Sequence, residues 1–143
     1  MTNIEMLENT LPIAPLKLIA MESCKPLGQK VNDYIVSFRE NTINEVTESP
    51  LYRNYKANNY QVDCSCPRFG SGEAKGILKE TIRGTDLFIM TDVCNYSLTY
   101  TVNGHLNHMS PDDHYQDLKR IIAAETGKAR RINVIMPFLY ESR

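Results

Sequence analysis

The sequence predicts an α/β fold in which a mostly parallel sheet is flanked by helices. Short apolar runs, each the length of a buried strand, occur at 16–21, 87–90 and 132–136. Two longer segments, 27–38 and 111–126, carry apolar residues at spacings of three and four, the pattern of a helix with one buried face. Strands that alternate with helices indicate βαβ units, and therefore a helix-covered parallel sheet.

The first half of the chain is predicted to hold one strand, one helix and a polar excursion. Residues 1–15 contain two prolines and no clear period, and they are interpreted as a lead-in arm. After the strand at 16–21, Ser23 is a candidate N-cap, and Pro26 fits the first turn of the helix. The stretch 39–59 is polar with little periodicity, so a loop is predicted there.

The second half is predicted to add strands before and after a well-marked helix. Residues 60–64 alternate apolar and polar side chains, and 74–79 is a further candidate strand beyond a glycine-containing loop. Ser110 offers an N-cap to the helix, Pro111 fits its first position, and Gly127 closes it.

Composition and charge exclude several classes of protein. The 143 residues fit one domain, 1–143, which at this size needs no disulfide or structural metal. Sixteen basic against seventeen acidic residues leave a net charge of -1, so no overall field attracts nucleic acid or an anionic membrane. No apolar run approaches the ~20 residues of a membrane span, and the N-terminus is acidic where a signal peptide is basic. We therefore predict a cytoplasmic protein that binds neither nucleic acid nor membrane.

The cysteines are predicted to be reduced thiols without a metal, because the chain shows no export signal. Cys64 and Cys66 are half of a zinc set, but such a site needs four ligands. The alternative, which we favour less, completes the set from three nearby histidines. The residues concerned are Cys24, Cys64, Cys66, Cys94, His105, His108 and His114.

The segment 68–73, which reads Arg-Phe-Gly-Ser-Gly-Glu, is the main candidate site. Its glycines permit a tight loop, the ring of Phe69 offers stacking area to a planar base, and the Glu73 carboxylate can accept a hydrogen bond from an exocyclic amine. The structural alternative is an ordinary turn in which Phe69 fills a core edge, Glu73 is solvated, and Arg83 pairs with Glu80.

The stretch 95–109 is a weaker candidate for a second base-stacking or metal-binding surface. Polar loops usually lack such a role, so a loop without a ligand is the preferred interpretation. The side chains considered are Tyr96, Tyr100, His105 and His108.

Two motifs in register resemble the ribose-phosphate pyrophosphokinases, also called phosphoribosyl pyrophosphate synthetases. That family reads R-F-S-D-G-E and, after a short spacer, an acid, Ser, an aliphatic residue, Arg and Gly. The positions that match at the same spacing are Arg68, Phe69, Gly72, Glu73, Glu80, Thr81, Ile82, Arg83 and Gly84. Flanking strands and helices match in order, so the resemblance covers about 17–37 and 60–143 of this sequence, the family's N-terminal domain.

The resemblance implies a phosphoribosyltransferase-like (type I) fold and an ATP-binding, oligomerising domain. The full enzyme transfers diphosphate from ATP, bound with Mg²⁺, to ribose 5-phosphate. By resemblance, Phe69 stacks on adenine, Glu73 binds its edge, and Arg143 contacts the ATP phosphates. The loop of one subunit reaches its neighbour's active site in this family, which implies a homo-oligomer. Thr81 and Arg83 fall where regulated members bind a phosphate or ADP effector.

The resemblance also implies that the catalytic residues and the ribose 5-phosphate site belong to a second domain beyond Arg143. We therefore expect the chain to be the N-terminal half of a two-domain synthetase and to be inactive by itself. Its end close behind a predicted strand, where α/β sheets bind ligands, agrees with truncation.

The chain departs from the family at several points, which predicts a divergent branch. Gly70 and Ser71 replace the family's Ser-Asp, the stretches 37–59 and 95–109 look longer, and the tail at 138–142 differs. Loss of the Asp at position 71 favours a second hypothesis, a catalytically silent regulatory or oligomerisation homologue. A third hypothesis is an unrelated α/β nucleotide-binding module.

Overall fold

The fold is given by a computed structural model that describes residues 12–42 and 55–143. Within those ranges the elements, in chain order, are β1 (Leu16–Ala20), a 3-10 turn (Glu22–Cys24), α1 (Lys25–Thr42), β2 (Cys64–Ser65), β3 (Ile77–Leu78), β4 (Asp86–Met90), β5 (Thr99–Val102), β6 (His105–His108), α2 (Pro111–Glu125) and β7 (Arg131–Ile135). Most of the predicted lead-in arm lies outside the described residues.

A parallel sheet in the order β1-β4-β7 forms the centre of the molecule. Ile19 pairs with Ile89, which pairs in turn with Val134. Beside β1, the Leu18 amide donates to the Tyr60 carbonyl at 2.9 Å, and the Val62 amide donates to the Leu18 carbonyl at 2.8 Å. The predicted parallel sheet is confirmed, whereas the predicted strand at 60–64 is reduced to this single bridge and the short β2.

The two helices pack against opposite faces of the sheet, as predicted. Successive strand residues point to opposite faces, so Ile19 and Leu18 of β1 belong to different core clusters. The first cluster includes Leu118 and Ile121 of α2. Against the second packs Val31 of α1. In the part of the chain that is described, no helix is long and apolar enough to cross a bilayer.

The start of α1 differs from the prediction. Ser23 lies in the 3-10 turn, where its hydroxyl accepts a hydrogen bond from the Asp92 amide at 3.0 Å and approaches the Thr91 hydroxyl at 3.5 Å. Ser23 therefore ties the end of β1 to the end of β4, and its prediction as an N-cap is wrong. Pro26 does lie in the first turn of α1.

The start of α2 agrees with the prediction. Ser110 is the N-cap, and its side chain accepts a hydrogen bond from the Asp113 amide while the Asp113 carboxylate accepts one from the Ser110 amide. Pro111 occupies the first turn, where its missing N–H costs nothing. Beyond the helix, Thr126 and Gly127 are left-handed.

Two predicted loops contain regular structure. Residues 39–42 of the predicted excursion belong to α1, and its residues 43–54 lie outside the described part of the chain. The stretch 95–109 contains the antiparallel β5–β6 hairpin, with Tyr100 opposite Asn107. Its turn residues Asn103 and Gly104 have φ of 51° and 80°, the backbone that suits a tight hairpin.

Candidate functional site

Residues 68–74, which we call the 68–74 loop, form a closed turn held by backbone hydrogen bonds. Arg68 and Ala74 form an antiparallel bridge. The Phe69 amide donates to the Glu73 carbonyl at 2.7 Å, and the Gly72 amide donates to the Phe69 carbonyl at 2.9 Å. Gly72 has φ of 90°, a backbone conformation that side chains disfavour. The loop therefore holds Phe69 and Glu73 close together.

The two candidate side chains of this loop face solvent. The Phe69 side chain is 53% exposed, which excludes the alternative that it fills a core edge. Glu73 is exposed and is also oriented, because the Ser71 hydroxyl donates to its Oε2 atom at 3.1 Å. Ser71, at the position of the family's aspartate, thus contacts the neighbouring carboxylate.

The base of the loop is anchored by Arg68, whose side chain is only 8% exposed. Its Nη2 atom lies 3.0 Å from Oδ2 of Asp117 and 4.0 Å from Oδ1 of Asp113, both on α2. From the other side, the ring of Tyr100 on β5 covers the guanidinium at 4.6 Å. Arg68 is therefore shared between α2 and the β5–β6 hairpin.

Opposing effects act on the two acids that pair with Arg68. Burial raises the pKa of Asp117, although its contacts with Arg120, at 2.6 Å, and with Arg68 favour the charged form. Burial acts in the same direction on Asp113, but hydrogen bonds from Ser110 and the charge of Arg68 outweigh it and lower the pKa. Asp113 is consequently a strong anionic partner for the cluster at neutral pH.

Sequence reasoning missed this anchoring network. The motif predicts no partner for Arg68, and no sequence pattern singles out Asp113 or Asp117 as one. Their meeting depends on packing between segments 49 positions apart in the case of Asp117. Charge patterning within one helix carries no signal for such a long-range pair.

A cavity of about 310 Å³ lies behind the base of the loop. Its walls come from the turn after β1, from β2 and its continuation, from β5 and from α2, and they include Cys64, Arg68, Tyr100, His114 and Asp117. Burial raises the pKa of Cys64 to about 11 and that of Cys66, beside the cavity, to about 12. Both thiols are therefore protonated at neutral pH, which makes them poor nucleophiles and poor metal ligands.

The two candidate effector residues lie close together at the turn before β4. Thr81 and Arg83 are exposed, and the Thr81 hydroxyl accepts a hydrogen bond from the Arg83 amide at 3.4 Å. Thr81 also borders a depression of about 510 Å³ that Lys75 and Lys128 line. Glu80 pairs with Lys17 at 3.4 Å, so the alternative pairing of Arg83 with Glu80 is not the arrangement found.

Arg143 is exposed at the end of a tail that packs on α2. Tyr140 places its ring edge-on against Tyr115 at 5.5 Å and donates its hydroxyl to Asp112 at 2.5 Å. Among the described residues, no hydrogen bond or ion pair joins Arg143 to the 68–74 loop.

Across residues 12–42 and 55–143, no group of three or more His, Cys, Asp or Glu side chains could hold a metal ion.

Comparison with known proteins gives a consistent result. Residues 16–143 match the family model described as the N-terminal domain of ribose phosphate pyrophosphokinase. A ribose-phosphate pyrophosphokinase of Staphylococcus epidermidis is 26% identical over 133 residues, covering 93% of this chain and 30% of that protein. A ribose-phosphate pyrophosphokinase of Bacillus caldolyticus is 35% identical over 75 residues, which cover 52% of this chain and 20% of that protein.

A solved structure extends the likeness to three dimensions. The phosphoribosylpyrophosphate synthetase of Mycobacterium smegmatis aligns with a TM-score of 0.50 and 19% identity, over 86% of this chain and 30% of that one. This similarity concerns the fold and agrees with the predicted phosphoribosyltransferase-like architecture. The chain spans about a third of the length of these relatives. Because the family model covers nearly the whole chain, the hypothesis of an unrelated module is wrong, and the chain belongs to the ribose-phosphate pyrophosphokinase family, as its N-terminal domain.

Proposed function

We propose that this chain is the N-terminal ATP-binding and oligomerisation domain of a cytoplasmic ribose-phosphate diphosphokinase. The full enzyme would transfer diphosphate from ATP to ribose 5-phosphate, giving phosphoribosyl pyrophosphate and AMP. The observation that carries the proposal is the 68–74 loop, which presents an exposed ring and an oriented carboxylate on a closed turn with a buried base.

The loop geometry suits adenine binding. The exposed face of Phe69 can stack on the purine, and the Glu73 carboxylate can accept from the exocyclic amine at its edge. Backbone hydrogen bonds already fix both residues, so little conformational entropy is lost on binding. Since both side chains point away from the body of the domain, they are free to serve the active site of a neighbouring subunit.

The phosphate end of ATP is assigned to Arg143. An exposed guanidinium can donate charge-assisted hydrogen bonds to phosphate oxygens. Mg²⁺ carried by the ATP phosphates would neutralise charge on the diphosphoryl group. Ribose 5-phosphate and the main catalytic groups are assigned to a second domain, and the fragment alone is expected not to turn over.

We also propose that Thr81 and Arg83 belong to an effector site for phosphate or ADP between subunits. Their exposure and closeness support this assignment.

ATP titration of the protein tests the nucleotide site directly. We expect Phe69→Ala to weaken ATP binding by about tenfold or more, because base stacking is worth roughly 1–3 kcal/mol. Arg143→Ala should weaken ATP more than adenosine. Tyr34→Ala, which removes an aromatic ring that is 71% exposed on α1, is the control and should leave the affinity unchanged. Equal affinities in all four proteins would count against the proposal.

Ser71 supports one alternative, a catalytically silent regulatory or oligomerisation homologue, because the family's aspartate is absent there. The full-length gene product distinguishes the two functions. Formation of phosphoribosyl pyrophosphate from ATP and ribose 5-phosphate identifies the enzyme. Subunit assembly without product formation identifies the silent homologue.

A further inference from the structure

The base of the 68–74 loop is held from two directions. Arg68 lies immediately before Phe69, and its buried guanidinium is paired with α2 through Asp117. The guanidinium is also covered by the Tyr100 ring of β5, whose centroid lies 4.6 Å from it. The attraction between a cation and an aromatic face is strongest where water is excluded. Tyr100 thereby supports the residue on which the position of Phe69 depends.

Tyr100 also connects the same cluster through its hydroxyl. This group donates to Oδ1 of Asp113 at 3.5 Å, the atom that lies 4.0 Å from Arg68. Along β5, Tyr100 and Val102 are half-buried whereas Thr99 and Thr101 are exposed. The alternation shows that the hairpin turns one face toward the protein, the face that carries Tyr100.

The tip of the hairpin meets the tip of the loop. A Cβ atom built on Gly70 would lie 3.5 Å from the side-chain oxygen of Asn103. Asn103 occupies the left-handed turn between β5 and β6. The β5–β6 hairpin therefore contacts the 68–74 loop at its base and lies close to it at its tip.

We propose that the β5–β6 hairpin is a positioning element for the nucleotide-binding loop, with Tyr100 as its main positioning residue. The nucleotide part of this inference rests on the function proposed above, but the hold of the hairpin on the loop does not. The hairpin lies in the stretch 95–109, which the resemblance predicts to be longer than in typical family members.

Hydrogen exchange of the intact protein tests the hold without any nucleotide. The amides of Phe69 and Gly72 donate the two hydrogen bonds that close the loop. Tyr100→Ala should speed their exchange about tenfold, as expected from loss of a desolvated cation–π contact. Tyr100→Phe keeps the ring and should exchange within about twofold of the parent, since only a long hydroxyl contact is lost.

A control and a second variant make the test decisive. Leu106→Ala removes a side chain that is 67% exposed on the same hairpin and should leave loop exchange unchanged. Asn103→Gly keeps a residue that accepts positive φ and removes the tip contact, so it should speed exchange at Gly72. If Tyr100→Ala does not fold, Asn103→Gly decides. Loop exchange at the parent rate in folded Tyr100→Ala or, where that variant does not fold, in Asn103→Gly would overturn the inference.

A second experiment measures the steady-state kinetics of the full-length gene product with ATP. Tyr100→Ala should raise the KM for ATP about tenfold with little change in kcat, because contacts to adenine, away from the reacting phosphates, are lost equally from the ground state and the transition state. If the parent protein does not bind ATP, the proposed function fails while the exchange comparison still stands. If the parent binds ATP and Tyr100→Ala alters neither KM nor loop exchange, the inference fails alone.

Discussion

Gly76 sets how closely the segment before β3 approaches α2. A Cβ atom on Gly76 would lie 2.3 Å from the backbone carbonyl oxygen of Arg120. A backbone atom inside a helix cannot rotate away as the end of a side chain can. Only a residue without a side chain fits at this position, so this glycine is required for packing.

We expect Gly76→Ala to lower the free energy of unfolding by about 1–3 kcal/mol, the usual cost of overpacking. Urea denaturation of the two proteins measures the difference. Gly70→Ala is the matched control, because its Cβ would make an ordinary contact of 3.5 Å and should change stability by less than about 0.5 kcal/mol. Equal losses in both variants would contradict the packing argument.

At the residue scale, the motif singled out two side chains whose roles stay predictions. The resemblance predicted the paired roles of Phe69 and Glu73, and their exposure on one turn is compatible with those roles. It gave no account of how Arg68 is held, because the partners come from distant segments. The prediction of Ser23 as an N-cap is wrong because a hydroxyl before a helix can accept a hydrogen bond from any nearby amide. Here it accepts one from the Asp92 amide.

At the scale of elements, α2 shows how local chemistry fixes a boundary. Ser110 and Asp113 exchange hydrogen bonds across the first turn. Asp113 also faces Arg68 and Tyr100, so the helix cap and the anchor of the 68–74 loop share one carboxylate. The start of α2 and the base of the loop are therefore coupled.

We expect Ser110→Ala to cost about 1 kcal/mol at neutral pH, as is usual for loss of a cap. The pKa of Asp113 is lowered in the folded protein below its ordinary 3.8, so its contribution to stability is present above that pH and is lost as pH falls through the lowered value. Because Ser110 contributes to that lowering, the difference between the proteins should shrink below pH 3.8.

Urea unfolding at pH 7 and near pH 3 measures both quantities. Ser37→Ala on the exposed side of α1 makes the same chemical change inside a helix. It should be neutral or slightly stabilising, since Ala has the higher helix propensity. A pH-independent loss in Ser110→Ala would show that Asp113 does not depend on the cap.

An element could be predicted when the sequence features that mark it lie within the element itself. The cap, proline and apolar stripe of α2, and the apolar runs of β1, β4 and β7, are local patterns, and these elements were predicted. The β5–β6 hairpin was missed although Asn103-Gly104, flanked by strand-length segments, is a recognised hairpin signal. Thr99–Val102 does alternate polar and apolar residues, but β6 does not, because its Leu106 is exposed and its Asn107 is half-buried.

For the molecule as a whole, the four cysteines report on the integrity of the fold. Cys94 is exposed, Cys24 is buried, and Cys64 and Cys66 are partly covered. Burial raises the pKa of Cys24 to about 11, similar to Cys64. A pKa two units above the ordinary thiol value of 9.0 corresponds to about a hundredfold less thiolate at neutral pH.

We therefore expect one fast-reacting thiol in the native protein and three more on unfolding. Labelling with an aromatic disulfide reagent at pH 7.5, with and without denaturant, measures this. Cys94→Ser should abolish the fast phase and leave the slow phase intact. Rapid labelling of Cys64 or Cys66 in native Cys94→Ser would contradict the burial of the two thiols.

The position of Arg68 between α2 and β5 also bears on how the residues around it evolve. Loss of the tyrosine at 100 uncovers one face of the buried Arg68 guanidinium. Loss of Arg68 removes the cation that lies between the carboxylates of Asp113 and Asp117. Within this branch, we expect either change to favour compensating changes at the other positions. Across natural variants of this branch, residues 68, 100, 113 and 117 should accordingly be replaced as a set, and sequences that alter one of them alone should be rare.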